Sequence, residues 1–222
     1  MFSISAYPGC MSRYTHLADF DQLAGMLAVA SRDLCPVIRR ASAALLEVDA
    51  EAGRTVRAEV AVARELHDRI DGSVPAVLAR RQPVASDLRL IVAGLRMNGD
   101  MRRMGALAGH IAGVALARYP EPALPAQVRP TFVAMADAAA RLADKAALVL
   151  ATRDRVDAIQ AGLDDDVLDA LQRSLFTKLT DDWPYGIPAA VDVAMLGRYY
   201  ERFADHAVGV ARQVAYLVLG SR

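Results

Sequence analysis

The chain has 222 residues, 26 basic against 26 acidic side chains, 54% hydrophobic residues and only 6% aromatics. That is enough apolar material for one large core or two small ones, drawn mostly from Ala, Leu and Val, the residues of closely packed helices. Zero net charge gives no global attraction to nucleic acid or acidic membrane, and no uncharged run reaches the roughly 18 residues that a membrane span needs.

Apolar residues recur at helical spacing throughout, and no stretch alternates like a strand. The N-terminal MFSISAYPGC lacks the basic start and apolar run of a signal peptide, and Met11 is an alternative start. A first helix is predicted over Thr15–Val48, with Pro36 inside it expected to kink or split it. A second runs over Ala50–Ala79, with Gly72 and Pro75 marking a bend. A third starts at Pro83, a residue suited to a first turn, and runs to Arg118. The segment Tyr119–Pro125 holds three prolines in seven residues and reads as the linker of the chain. Further helices follow over Ala126–Thr152, Asp154–Leu179 and Pro188–Leu219, with Gly220 as a stop. The short basic pairs Arg39-Arg40 and Arg80-Arg81 read as solvated helix faces. Cys10 and Cys35 form no CxxC pair, which indicates neither a disulfide framework nor a zinc site and fits a reducing, cytoplasmic setting.

The third and last helices match when offset by 99 residues. Leu88 falls on Ile187, Val92 on Val191, Met97 on Leu196, Met101 on Tyr200, Met104 on Phe203, Arg103 on Arg202 and Ala108 on Ala207. Three helices, a proline break and three more therefore read as a repeat. Each half has residues for a three-helix bundle and no more, so the fold class is all-α, with two tandem three-helix bundles at 11–118 and 126–222.

The chemistry is concentrated in Arg198-Tyr-Tyr-Glu-Arg-Phe-Ala-Asp-His206. Glu201 and Asp205 lie at i and i+4, which puts both carboxylates on one helix face, where like charges repel. A cation should offset that repulsion: Arg198 or Arg202 from the same helix, or a hard metal ion, which prefers oxygen ligands. Asp165 and Asp169 repeat the spacing on the preceding helix, so antiparallel packing would bring four carboxylates together. The same residues also suit a solvated or salt-bridged face, and an acidic helix start complements the helix dipole. There is no Gly-rich phosphate loop, and Ser12, Ser86 and Ser174 have no triad-like neighbours. His16, His67 and His110 show no ligand spacing, and Trp183-Pro-Tyr185 is expected to pack the bundle end.

The run Arg81-Gln-Pro-Val-Ala-Ser-Asp-Leu-Arg89 resembles the opening of the third helix in the PhoU family of phosphate-signalling proteins. Tyr200-Glu-Arg-Phe-Ala-Asp-His-Ala207 resembles the family's E-R-x-x-D-H-A segment, and Val214–Gly220 resembles its ending. The resemblance covers nearly the whole chain from Met11. It implies tandem three-helix bundles related by a pseudo-twofold axis. It also implies a cytoplasmic, non-enzymatic accessory protein that restrains the phosphate-starvation response by coupling the phosphate ABC transporter to a phosphate-sensing histidine kinase. No nucleic acid would be bound, the membrane would be reached only through partners, and a homodimer is compatible with the extensive helical surface. Family members can hold metal through an acidic (E/D)xxxD motif in each bundle.

The chain departs from that pattern in its first half. The motif positions of the third helix hold Arg102 and Ala106, and those of the facing helix align with Val60 and Arg64, with Glu59 and Glu65 nearby. An arginine has no lone pair to offer a metal and repels it. The expectation is therefore a divalent or iron-type metal ion in the second bundle only, held by Asp165, Asp169, Glu201 and Asp205. The alternative function is a carboxylate-rich metal-binding bundle or metalloenzyme, although no Glu-x-x-His pair accompanies Glu201. Glu201→Gln is expected to abolish metal uptake in elemental analysis of the purified protein; stoichiometric metal retained by that variant would refute the assignment.

Overall fold

A computed structural model describes residues 8–80, 84–154, 166–181 and 183–219. Among these it contains six helices and no strands: α1 Pro8–Leu46, α2 Ala50–Arg80, α3 Ala85–Arg118, α4 Arg129–Thr152, α5 Asp166–Thr180 and α6 Gly186–Leu219. The predicted starts at Pro83 and Asp154, the stop at Gly220 and the site residue Asp165 concern a segment or boundary that lies, wholly or in part, outside the described residues.

α1 is not split at Pro36. A proline in mid-helix removes one hydrogen bond and costs about 3 kcal/mol, but Pro36 faces solvent while its neighbours Leu34, Cys35, Val37 and Ile38 are buried. Burying those apolar side chains outweighs the lost bond. Pro75 is likewise exposed inside an unbroken α2. Between the two helices the chain turns sharply, with Val48 at φ 57° in the left-handed region. Asp49 then caps α2, its Oδ1 accepting from the N–H groups of Glu51 (2.9 Å) and Ala52 (3.0 Å). At the start of α3 the Asp87 carboxylate accepts from the Val84 N–H at 3.2 Å. The proline-rich linker carries a cis Tyr119–Pro120 bond.

The chain forms two tandem three-helix bundles, α1–α3 and α4–α6, that share one core. α1 packs on α2, α3 and α4; α6 packs on α3, α4 and α5. Four helices, α1, α3, α4 and α6, therefore make the centre, and α2 and α5 lie outside. The burial pattern follows this arrangement. α6 buries Val193, Leu196, Tyr200, Phe203, Ala207, Val210 and Val214, whereas α5 fully buries only Leu168 and Leu175.

Polar contacts cross the seam between the halves. The Tyr200 hydroxyl, on a fully buried ring, lies 2.8 Å from Ser42 Oγ of α1, and Ser42 also donates to the Ile38 carbonyl at 2.8 Å. Burial raises the Tyr200 pKa well above that of a free phenol, so the hydroxyl stays protonated. Arg39 reaches Asp144 of α4 at 3.2 Å and donates to the Cys35 thiol at 3.2 Å. Arg40 pairs with Glu59 of α2. Arg39 and Arg40, expected as a solvated pair, are thus both engaged. The Trp183 indole packs against the core and donates to the Gly186 carbonyl at 2.9 Å, with the Tyr185 ring at its edge.

Not every apolar match of the repeat points into the core. Leu88 and Val92 of α3 are 44% and 43% exposed, and their counterparts Ile187 and Val191 of α6 are 79% and 54% exposed.

Tyr200→Phe is expected to cost about 1 kcal/mol, because Ser42 keeps its bond to Ile38 and is not orphaned. Tyr200→Ala is expected to cost about 3–5 kcal/mol through the cavity it leaves. Denaturant midpoints of the two variants measure both.

Candidate functional site

The α6 segment places Glu201 on the buried side of the helix, 8% exposed. Arg198, one turn earlier, holds it with a single nitrogen, Nη1, at 2.6 Å from Oε1 and 2.7 Å from Oε2. Asp205 and Asp169 are half-buried and close enough to act on Glu201 electrostatically. Burial raises the Glu201 pKa above the ordinary carboxylate value. The Asp205 charge adds to the rise, Arg198 opposes it, Asp169 raises it further and Arg202 lowers it. Asp169 and Asp205 thus lie near Glu201, while Asp165 lies outside the described residues.

The described part of this cluster does not fit a metal ion as it stands. A cation would have to enter beside a guanidinium that already engages both Glu201 oxygens. Among the described residues, no three carboxylate, thiol or imidazole side chains are grouped to hold a metal. The carboxylate repulsion is relieved from within the helix by Arg198.

The corresponding place in the first bundle carries a different network. Arg102 donates to Asp68 Oδ1 at 2.9 Å and to Asp71 Oδ2 at 2.8 Å, both on α2. Behind it the fully buried Asn98 donates to Asp71 Oδ1 at 2.7 Å and to the His67 carbonyl at 3.0 Å. The Asn98 Oδ1 lies 2.7 Å from His67 Nδ1. The acids facing Arg102 are therefore Asp68 and Asp71, about one to three turns along α2 from Arg64 and Val60. His67, Asn98 and Asp71 were not singled out as a group from sequence. The available signal was the spacing of His67 and Asp71, four apart on one face, together with Asn98 on the buried face of α3, where its neighbours Ile91, Met97, Met101 and Met104 are apolar.

The central pair α3 and α6 is joined by three further contacts. His206 Nδ1 is 3.0 Å from Asp100 Oδ1, Arg118 Nε donates to Asp192 Oδ2 at 2.6 Å, and the His110 and Tyr199 rings stack at 5.3 Å. Gly209 is needed at the first of these, since a Cβ there would come within 2.7 Å of the Asp100 carboxylate.

Two stretches of the chain, residues 34–115 and 132–214, each match the PhoU domain. The chain is 43% identical over 185 residues to the phosphate-specific transport system accessory protein PhoU homolog 2 of Mycobacterium tuberculosis, covering 83% of this chain and 87% of that protein. It is 40% identical over 204 residues to PhoU homolog 1 of the same organism, covering 90% of each. The crystal structure of PhoU from Pseudomonas aeruginosa superposes with a TM-score of 0.84 at 26% identity, covering 92% of this chain and 99% of that one. That of the phosphate transport system regulatory protein PhoU from Streptococcus pneumoniae shares the fold, with a TM-score of 0.78 at 19% identity, covering 93% and 98%. The chain belongs to the PhoU family.

Because its pKa is raised on folding, Glu201 holds its proton to a higher pH in the folded protein than in the unfolded chain. Its contribution to stability therefore falls as pH climbs from the unfolded carboxylate value, about 4.3, through the raised value. Glu201→Gln removes this titration. Urea unfolding at stepped pH should show the variant gaining on the wild type across that window and holding level above it; a difference that does not change with pH would contradict the assignment.

Proposed function

We propose that this PhoU-family chain is a cytoplasmic accessory protein of a phosphate-specific transport system. It restrains the phosphate-starvation response by coupling the phosphate ABC transporter to a phosphate-sensing histidine kinase. The names of the mycobacterial relatives support the transport assignment. The coupling to a kinase rests on the family resemblance. No helix among the described residues is long and apolar enough to cross a membrane, so the membrane is reached through partners.

The observation that carries the reading is the repeated set of exposed apolar side chains. Ile187 and Val191 on α6, and Leu88 and Val92 on α3, occupy equivalent positions of the two halves and face outward in both. An apolar residue kept out of the core at both copies of a duplicated position suits recognition of a partner better than packing. The chain would act by presenting these surfaces rather than by catalysis. Metal held by the second bundle is a separate reading. It requires Asp165 to join Asp169, Glu201 and Asp205 and Arg198 to give way, and the elemental analysis described above tests it.

Deleting the gene is expected to switch on phosphate-starvation genes in phosphate-rich medium. Complementation with Ile187→Glu/Val191→Glu should fail although the protein still folds, because both side chains are exposed. Unchanged reporter expression in the deletion strain would overturn the regulatory reading; full rescue by the double variant would remove the α6 face from it.

A further inference from the structure

A groove of about 680 Å³ opens where α2, α3 and α6 meet. Its polar lining comes from all three helices: Arg57 from α2, Arg118 and His110 from α3, Asp192 and Tyr199 from α6. One wall is bare backbone at Gly113, where an added Cβ would meet nothing within 4 Å. Every lining residue is among those described.

The groove is not a by-product of the repeat. At the equivalent place on the other side of the pseudo-twofold axis, His110 is replaced by Gly209 and Tyr199 by Asp100, and these two close on each other. The positions of Arg118 and Asp192 are there taken by Leu217 and Ala93. The Arg118–Asp192 pair and the His110–Tyr199 stack therefore have no counterparts at the other end of the α3–α6 joint, where Asp100 meets His206 instead.

The donors are arranged for an oxyanion. Arg57 is exposed and has no ion-pair partner among the described residues. Arg118 is engaged through Nε alone, which leaves its two terminal nitrogens as donors. Two guanidiniums lining one groove can each donate charge-assisted hydrogen bonds to an oxyanion held there, and each fork can do so bidentately. Asp192 adds selectivity. Its side chain is 18% exposed, is fixed by Arg118 and lines the groove. A carboxylate can only accept a hydrogen bond. It repels an oxyanion without a proton and welcomes one that keeps a hydroxyl. Inorganic phosphate keeps at least one P–OH at neutral pH, and sulfate keeps none.

The geometry points to a binding site for inorganic phosphate in this groove, with Arg57 and Arg118 as donors and Asp192 as the acceptor that selects the protonated oxyanion. The site stands apart from the partner reading above, because it is read by direct binding to the purified chain. Isothermal titration with inorganic phosphate and with sulfate, at pH 7 and matched ionic strength, tests it. Saturable phosphate binding is expected, with sulfate at least tenfold weaker. Arg57→Gln should weaken phosphate about tenfold, the loss of one charge-assisted bond, with no change in unfolding midpoint. Asp192→Asn, which replaces the acceptor oxygen by a donor, should bring sulfate binding up to that of phosphate. The proposal is overturned by absence of saturable phosphate binding, by equal binding of sulfate and phosphate to the wild type, or by an Arg57→Gln variant that binds phosphate as the wild type does.

Discussion

A phenol withdrawn from water must find a partner for its hydroxyl, and Tyr200 finds one on the opposite half of the chain. Its ring fills the centre of the four-helix core, beside Phe132 at 6.1 Å between ring centres, and its hydroxyl meets Ser42. Tyr200 thereby reaches from α6 to α1, two helices that do not pack directly on each other, while small residues such as Ala41, Ala204 and Ala207 are buried in the shared core. The two bundles consequently do not complete their cores separately. Each supplies two helices to a common interior, and each leaves one helix, α2 or α5, on the outside. The polar seam of Arg39–Asp144, Asp100–His206 and Arg118–Asp192 runs around that apolar centre.

Much of this was legible in the residues. Helical spacing gave the helices, three prolines in seven residues gave the linker, and the 99-residue offset gave the repeat. The prolines at 36 and 75 were less legible, because a mid-helix proline breaks a helix only when its neighbours have no core to keep. Periodicity also identifies an apolar face without saying what covers it. Leu88 and Ile187 carry the same apolar signal as Met97 and Leu196, yet the first two are exposed and the last two buried. Of the candidate site, the ExxxD geometry and its arginine counter-charge were readable from local spacing. The network of His67, Asn98, Asp71 and Arg102 was not, since it joins residues about thirty apart through a packing that only the fold provides.

The two halves share a frame and have diverged in charge. In the second bundle Asp169 and Asp205 lie near Glu201, and Arg198 and Arg202 oppose their charge. In the first the arginine sits at the position matching Glu201 and is held by two aspartates from α2. Both arrangements neutralise the joint between the outer helix and the last helix of the bundle, with the sign reversed. A charge pattern that would have been symmetric in a simple duplication thus distinguishes one end of the molecule from the other.

The length and position of α1 bear on how such a molecule comes into being. This helix is made before the other five described helices, and it touches α2, α3 and α4. The first three helices can assemble on it while the rest of the chain is still being translated. One side of α1, including Arg39 and Ser42, then waits for partners that lie more than a hundred residues downstream. Until α4 and α6 arrive, that side is an uncovered wall, and the nascent half-protein is the form most exposed to mispairing with another half like itself.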